Sequence, residues 1–152
     1  MADARNESDA DADVPEAAKW NSWVIDQFRT NDGNVPGQEG RQLLLLHHIG
    51  AKSSQERTTP LLYRTDDQGR PVVFAAFAGA PHHPSWFQNV RAHPDVNYEI
   101  GTVLKRARAR VTTGEERELL WALQKTDNPG FAQFEELAAP REIPVIVLEP
   151  DE

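Results

Sequence analysis

The chain has 152 residues, 24 acidic against 16 basic residues, a net charge of −8 and no cysteine. This length fits one domain with its own core, and the 39% of hydrophobic residues argues against a wholly disordered protein. The acidic balance argues against nucleic-acid binding, because such affinity comes mostly from neutralised phosphates. Without cysteine, the chain has no disulfide, thiolate metal site or cysteine nucleophile.

The N-terminal 13 residues contain five acidic side chains among small residues and predict a disordered tail. Residues 14–152 are then expected to form a single domain. The tail has no apolar run of the kind found in secretory signals. The longest apolar stretch, residues 72–80, is about half of the ~18 residues that a membrane helix needs. We therefore expect a cytoplasmic protein without a transmembrane segment.

Helical spacing of Trp20, Trp23, Val24 and Phe28 predicts a first helix over residues 15–30. We expect its tryptophans to pack on the domain. A membrane-surface role is the alternative, which the acidic tail disfavours because anionic lipids repel it.

Short apolar runs separated by turn residues follow this helix and predict strands. Residues 41–48, 57–64 and 71–78 are expected to form a three-stranded meander. A short helix is predicted to begin at His83-Pro84-Ser85 and to end at His93-Pro94. Residues 96–100 and 105–111 then read as a hairpin around Gly101.

The C-terminal third predicts two helices and a last strand. Residues 113–116 resemble a capping box, which would open a helix with an apolar stripe at Leu119, Leu120 and Leu123 and an end near residue 129. A short helical segment with Phe131 and Phe134 comes next. The last strand, residues 143–148, contains a proline typical of an edge strand. Six short strands with peripheral helices indicate an antiparallel barrel or sandwich, and we expect an α+β barrel.

The loop over residues 50–60 is the first candidate site. Lys52 offers a mobile charge and Arg57 a planar fork, which together suit phosphate oxygens at ~1.5 to 3 kcal/mol for each charge-assisted hydrogen bond. The alternative is a polar hairpin loop with solvated charges. Composition alone favours this alternative.

The second candidate site is the segment 74–81, whose small residues let a flat ring approach the backbone. The predicted helix behind it adds an anion-friendly N-terminus. A buried strand followed by a connecting helix is the alternative. The five histidines lack the spacing of a metal site, since neighbours on a strand point to opposite faces. No GxSxG elbow supports serine catalysis.

Four segments carry a family resemblance, and they stand in this order: LLLLHHIGAKSSQERTTPLLY, VVFAAFAGAPHHPSWFQNVRAHPDV, ARVTTGEERELLWALQ and PREIPVIVLEP. Over residues 42–150 the chain resembles the deazaflavin-dependent nitroreductases of actinobacteria. The resemblance implies a six-stranded split β-barrel of the flavin-reductase and pyridoxamine-oxidase type with an N-terminal helix. It also implies the reduced deazaflavin coenzyme F-420, which passes a hydride to a quinone, enone or nitroaromatic acceptor.

The resemblance also implies positions for the bound molecules. The coenzyme's phosphate and acidic tail would lie against Lys52, Ser53, Arg57, Thr58 and Thr59, with Pro60 and Leu61 beside them. Its ring would run along Phe74, Ala75, Ala76, Phe77 and Gly79. The short helix would contribute Ser85, Trp86, Phe87, Gln88 and Asn89. The acceptor would contact Phe131, Phe134, Asn128 and Trp20.

Two departures from the family bear on the acceptor. Where many relatives have Ala-Ser-Lys-Gly-Gly, residues 75–79 lack a hydroxyl and a cation. Asn128, Phe131 and Phe134 replace tyrosines near the late helix, which favours flat apolar acceptors such as quinones over nitroimidazoles. No side chain is identified as a general acid.

Other functions remain open on the same fold. A carrier that binds a deazaflavin or flavin without turnover is one alternative, and an FMN-dependent reductase is another. Split barrels often dimerise, so a homodimer is a further option.

Overall fold

The computed structural model describes residues 16–151, so the expected acidic tail lies outside the described residues. The helices are α1 (Glu16–Thr30), α2 (Ser85–Ala92), α3 (Gly114–Asp127) and α4 (Gly130–Ala138). The strands are β1 (Leu43–Ile49), β2 (Glu56–Leu62), β3 (Arg64–Thr65), β4 (Pro71–Phe74), β5 (Asp95–Ile100), β6 (Val103–Val111) and β7 (Val145–Pro150). A tight turn, Phe77–Gly79, follows β4.

These strands form one antiparallel sheet in the order β2-β1-β5-β6-β7-β4-β3. Its two edge strands, β2 and β3, are separated in the chain by Tyr63 alone. The sheet must therefore curl until its edges meet, which gives a half-barrel with a seam between β2 and the β3–β4 pair. The fold is α+β, as expected.

Alternating side chains along the strands fill two layers of core. Leu44, Leu46, Val73 and Ile146 point into the curled sheet, where they meet Trp86 and other residues of α2. The intervening residues point outward and are covered by helices: α1 packs on Leu45 through Val24 and Phe28, and α3 and α4 cover the outer face of β4 and β7. Helix α2 is thereby placed inside the half-barrel, next to the seam.

The predicted count of six strands was wrong, because residues 16–151 already contain seven. The expected meander was wrong as well. Residues 64–65 leave β2 after Tyr63 and form the short strand β3, which pairs with β4. Strand β4 pairs on its other side with β7, so β2 and β4 share no ladder.

The predicted third strand is too long. Strand β4 ends at Phe74, where its pairing with β7 stops. Phe77 and Ala78 then take left-handed backbone angles, φ 54° and 53°, which no extended strand contains. Residues 71–78 are thus a short strand followed by a tight turn.

Two helix faces also differ from the prediction. Helix α3 buries Arg117, Leu120 and Trp121, whereas Leu119 and Leu123 are exposed. Its expected capping box does not form: Thr113 makes no side-chain cap hydrogen bond, and the Glu116 carboxylate accepts hydrogen bonds from Arg110.

Helix α1 covers the sheet with apolar residues other than its two tryptophans. Its buried residues are Val24 and Phe28, while Trp20 and Trp23 stack on each other at the surface with 50% and 39% of their area exposed. The expectation that these tryptophans pack on the domain was therefore wrong.

Three local predictions are confirmed: α1 ends at Thr30, α2 begins at Ser85, and β5 and β6 form a hairpin around Gly101. Pro144 is not on an edge strand, because it precedes β7, which lies between β6 and β4. Within residues 16–151, no helix combines the length and apolar character needed to cross a membrane.

Candidate functional site

An apolar cavity of about 240 Å³ opens at the seam of the half-barrel. The seam brings β2 close to β4 and the turn after it, and among the described residues no strand ladder joins β2 to β4. An edge strand presents backbone N–H and C=O groups outside its own ladder, which makes a seam a natural place for a ligand. Its lining comprises Asn21, Thr59, Pro60, Leu61, Leu62, Phe74, Ala76, Phe77, Ala78, Pro84, Trp86, Phe131 and Phe134.

Aromatic rings form one wall of this apolar cavity. The Phe131 ring lies edge-on to Phe74 and Phe134, with centroids 6.0 and 5.2 Å apart. Trp121 supports Phe74 and Phe131 from the core at 5.9 and 6.1 Å. Edge-to-face pairs of this kind hold each ring in place, so the wall is rigid and apolar.

A second cavity, of about 370 Å³, lies beside the loop between β1 and β2. Its lining comprises Gly50, Ala51, Lys52, Ser53, Arg57, Ser85, Gln88 and Asn89. Two of these residues are cations and none is acidic. In the part of the chain that the structure describes, neither Lys52 nor Arg57 forms an ion pair with a carboxylate. This cationic cavity suits an anion.

The two cavities lie along the same two elements. Strand β2 contributes Arg57 to the cationic cavity and Thr59 to the apolar one. The first turn of α2 contributes Ser85 to the former and Trp86 to the latter. We call the two cavities together the groove; it has a cationic end and an apolar end, which share the elements β2 and α2.

A buried histidine forms hydrogen bonds with residues on two walls of the groove. His48, on β1, is only 1% exposed and lies 2.9 Å from the Thr59 hydroxyl through Nε2 and 3.0 Å from Asn89 Nδ2 through Nδ1. The Asn89 carboxamide oxygen accepts the Ala51 N–H at 2.8 Å, which fixes the orientation of the amide. Its NH₂ group therefore donates to His48 Nδ1, and the proton of the neutral ring is on Nε2.

Burial, together with the nearby positive charge of Arg57, lowers the pKa of His48 to about 4. The ring is thus neutral at pH 7 and serves as a fixed link between β1, β2, α2 and the cationic loop. Sequence reasoning missed this role. The sequence did contain a signal, which is a histidine next to a run of leucines that are buried. A polar ring that is buried with them needs hydrogen-bond partners.

Most of the predicted site residues line the groove. The cationic cavity contains Lys52, Ser53, Arg57, Ser85, Gln88 and Asn89. The apolar cavity contains Thr59, Pro60, Leu61, Phe74, Ala76, Phe77, Trp86, Phe131 and Phe134. The roles assigned to these residues stay predictions.

Four predicted cofactor residues line neither cavity. Thr58 lies beside His47 on the next strand, and Ala75 and Phe87 are in the core inside the sheet. Gly79 is buried against α4, where an added Cβ would lie 2.7 Å from Leu137 Cβ.

Two predicted acceptor residues also lie outside the groove. Trp20 is at the surface, whereas its neighbour Asn21, which the sequence did not single out, lines the apolar cavity. Adjacent helical residues point about 100° apart, which explains the difference. Asn128 borders a separate polar cavity of about 260 Å³ beside Arg64 and Asp127. Among residues 16–151, no three His, Asp or Glu side chains are placed to hold a metal ion.

Comparisons with known proteins identify relatives over nearly the whole described chain. The family model of F420H(2)-dependent quinone reductases matches residues 20–150. An F420H(2)-dependent quinone reductase of Mycobacterium tuberculosis is 35% identical over 135 residues, which cover 82% of this chain and 90% of the relative.

Solved structures agree with this match. The structure of an F420-H2 dependent reductase superposes with a TM-score of 0.63 at 36% identity, covering 72% of this chain and 95% of the other. A structure described as a domain-swapped dimer gives a TM-score of 0.65 at 34% identity, covering 84% of this chain and 98% of the other. A heme storage protein of Vibrio cholerae, at 13% identity and a TM-score of 0.55, shares the fold alone.

Proposed function

The chain belongs to the F420H(2)-dependent quinone reductase family, and we propose that its groove holds reduced coenzyme F-420 against a flat quinone. The observation that carries this proposal is the pairing of two chemically different cavities along β2 and α2. A phosphorylated redox coenzyme has one anionic end and one flat ring, and the groove offers a place for each.

The cationic end fits the anionic part of such a coenzyme. Lys52 and Arg57 face a cavity without a carboxylate, although the whole chain carries a net charge of −8. Because neither cation is neutralised by a carboxylate of the described residues, both charges are available to an anionic group placed in this cavity. Lys52 would bind it as a point charge, and the Arg57 fork would bind two oxygens at once.

The protein's own part in the reaction is to bind and to orient. When bound, a reduced deazaflavin supplies a hydride from its ring carbon, so no side-chain nucleophile is needed. The Phe131 and Phe134 rings exclude water from the apolar end and hold a flat acceptor. Asn21 is a polar side chain of this lining that can donate a hydrogen bond to an acceptor oxygen. The His48 link keeps both ends in register.

The lining of the apolar cavity favours quinones among flat acceptors. It contains no tyrosine in the described part of the chain, so no phenol is placed to orient a nitro group. A quinone needs little more than an apolar slot, because most of its surface is a flat ring.

Coenzyme binding is tested by fluorescence titration of the oxidised coenzyme with purified protein. We expect Lys52→Ala and Arg57→Ala each to weaken binding about tenfold or more, from ~1.5 to 3 kcal/mol for each charge-assisted bond. Lys105→Ala, on the exposed face of β6, is the matched control. Unchanged affinity in both groove variants would remove the anion assignment. Tight binding with no acceptor-dependent oxidation would indicate a carrier.

Acceptor choice is tested by steady-state turnover of menadione and of a nitroimidazole with reduced coenzyme. We expect menadione to have the higher kcat/KM by at least tenfold. Equal values would contradict the assignment of the apolar cavity to quinones.

Self-association is part of the proposal. Support comes from the relative whose structure is a domain-swapped dimer and from the exposed Val103 and Leu104 at the tip of the β5–β6 hairpin. Light scattering on the purified protein would show a dimer mass if this is right and a monomer mass if it is not.

A further inference from the structure

The turn after β4 has an unfavourable backbone that the rest of the site does not explain. Phe77, Ala78 and Gly79 adopt left-handed angles in succession, with φ of 54°, 53° and 81°. In this region the Cβ of an L residue crowds the following carbonyl, and only glycine adopts it without cost. Phe77 and Ala78 both line the apolar cavity, so the strained residues form part of the ligand wall.

The Arg141 side chain holds this turn by hydrogen bonds to the residues that flank it. The Arg141 guanidinium donates from Nε to the Ala80 carbonyl at 2.9 Å, from Nη1 to Ala75 at 3.1 Å and from Nη2 to Ala76 at 2.9 Å. Nη1 also lies 3.0 Å from His83 Nδ1, which must accept because a guanidinium has no lone pair to offer. Four contacts therefore hold both sides of the turn.

The chemistry of Arg141 matches no ordinary surface role. Among residues 16–151 it has no ion-pair partner of opposite charge, and burial lowers its pKa. The cation is thus held by three backbone carbonyls and the neutral His83 ring nitrogen, and by no carboxylate of the described residues. A lysine could not replace it, because a single ammonium cannot reach carbonyls that point from both sides of the turn.

Helix α4 closes the other side of the turn. Gly79 is buried so closely against it that an added Cβ would lie 2.7 Å from Leu137 Cβ and 3.1 Å from the Phe134 carbonyl oxygen. Phe134 belongs to the aromatic wall of the groove. The turn therefore lies between Arg141 and the helix that carries that wall.

We infer that Arg141 is a positioning residue, which holds the left-handed turn 77–79 and so sets the shape of the apolar cavity. Without Arg141, the backbone of the turn would relax toward less strained angles. The wall of the apolar cavity that Phe77 and Ala78 form would then move. Only the identity of that ligand rests on the proposed function. The role of Arg141 in holding the turn is supported by its own hydrogen bonds.

The test is a double-mutant cycle between Arg141 and Ala78. Ala78→Gly removes the Cβ crowding, so the turn has less strain for Arg141 to oppose. The proteins are wild type, Arg141→Gln, Ala78→Gly and the double variant, with Arg141→Lys as the conservative change. Arg106→Gln, whose side chain is 80% exposed, is the control for loss of an arginine. Each is measured by urea unfolding and by fluorescence titration with oxidised coenzyme.

We expect Arg141→Gln to weaken coenzyme binding about tenfold and to lower the unfolding midpoint, with Arg141→Lys in between and Arg106→Gln unchanged. In the Ala78→Gly background, the loss of coenzyme affinity and the fall in the unfolding midpoint caused by Arg141→Gln should each be at least threefold smaller. If Arg141→Gln does not fold, Arg141→Lys with and without Ala78→Gly gives the same comparison. Additive effects in both measurements would overturn the inference. Failure of the wild type to bind coenzyme would refute the proposed function. Non-additive effects of Arg141→Gln and Ala78→Gly on urea unfolding would still support the role of Arg141 in holding the turn.

Discussion

Protonation of His48 should couple the stability of this protein to pH. The ring is 1% exposed and makes hydrogen bonds to Thr59 and Asn89 that need the neutral form, with its Nδ1 unprotonated. Burial, followed by the positive charges of Arg57 and His47, lowers its pKa from 6.5 to about 4. A proton added to Nδ1 would face the NH₂ group of Asn89 and break the link to the cationic loop.

The sign and size of the effect follow from this difference in pKa. Between pH 6.5 and 4 the unfolded chain carries a proton on His48 and the folded chain does not, so the free energy of unfolding falls as the pH falls. The stabilisation is complete above pH 6.5. The shift of about 2.5 pH units corresponds to roughly 3 kcal/mol lost by pH 4. The carboxylates of Glu99 and Glu116, whose pKa values are lowered, add to the loss only toward the acidic end.

Urea unfolding at pH 7.5, 6.5, 5.5 and 4.5 measures this slope. His48→Gln should be less stable at pH 7.5 but should lose less stability on acidification than the wild type. His82→Gln, at an exposed histidine, is the control for the loss of a histidine side chain. His83, whose pKa burial also lowers, contributes with the same sign in all three proteins. Equal slopes for wild type and His48→Gln would refute the reasoning.

Two further substitutions test the apolar end of the groove. Phe131→Ala should raise the KM for menadione about tenfold with less than a twofold change in coenzyme affinity, because it removes a ring on the proposed acceptor side of the apolar cavity and leaves the cationic cavity and the turn 77–79 beside the coenzyme ring in place; a matching loss of coenzyme affinity would contradict this. Gly79→Ala should cost about 2 kcal/mol in urea unfolding, since its Cβ would meet Leu137 Cβ at 2.7 Å. Gly37→Ala, also left-handed but with open space around it, should cost only about 1 kcal/mol, and equal costs would contradict the predicted clash.

Local chemistry in the sequence was enough to find much of the site. Lys52 lies in the loop between β1 and β2, and Arg57 is the second residue of β2, so their contribution to a single cationic cavity depends only on a hairpin. Helix α2 begins at Ser85 because Pro84 before it disfavours a longer helix. The β5–β6 hairpin turns at Gly101, which has the positive φ that glycine tolerates. Each of these features is decided by residues a few positions apart.

Long-range packing decided the features that the sequence analysis missed. Whether Leu119 or Arg117 faces the core of α3 depends on which strands lie beneath the helix, and the apolar spacing of the sequence fits both faces. The link from His48 to Asn89 joins residues 41 positions apart, and Arg141 reaches Ala76 from 65 positions away. The sequence alone therefore determined the family, the cationic loop and most of the elements. The seam, the turn and the side chains that hold them were decided by the curling of the sheet, because only that curling brings β2, β4 and α4 together.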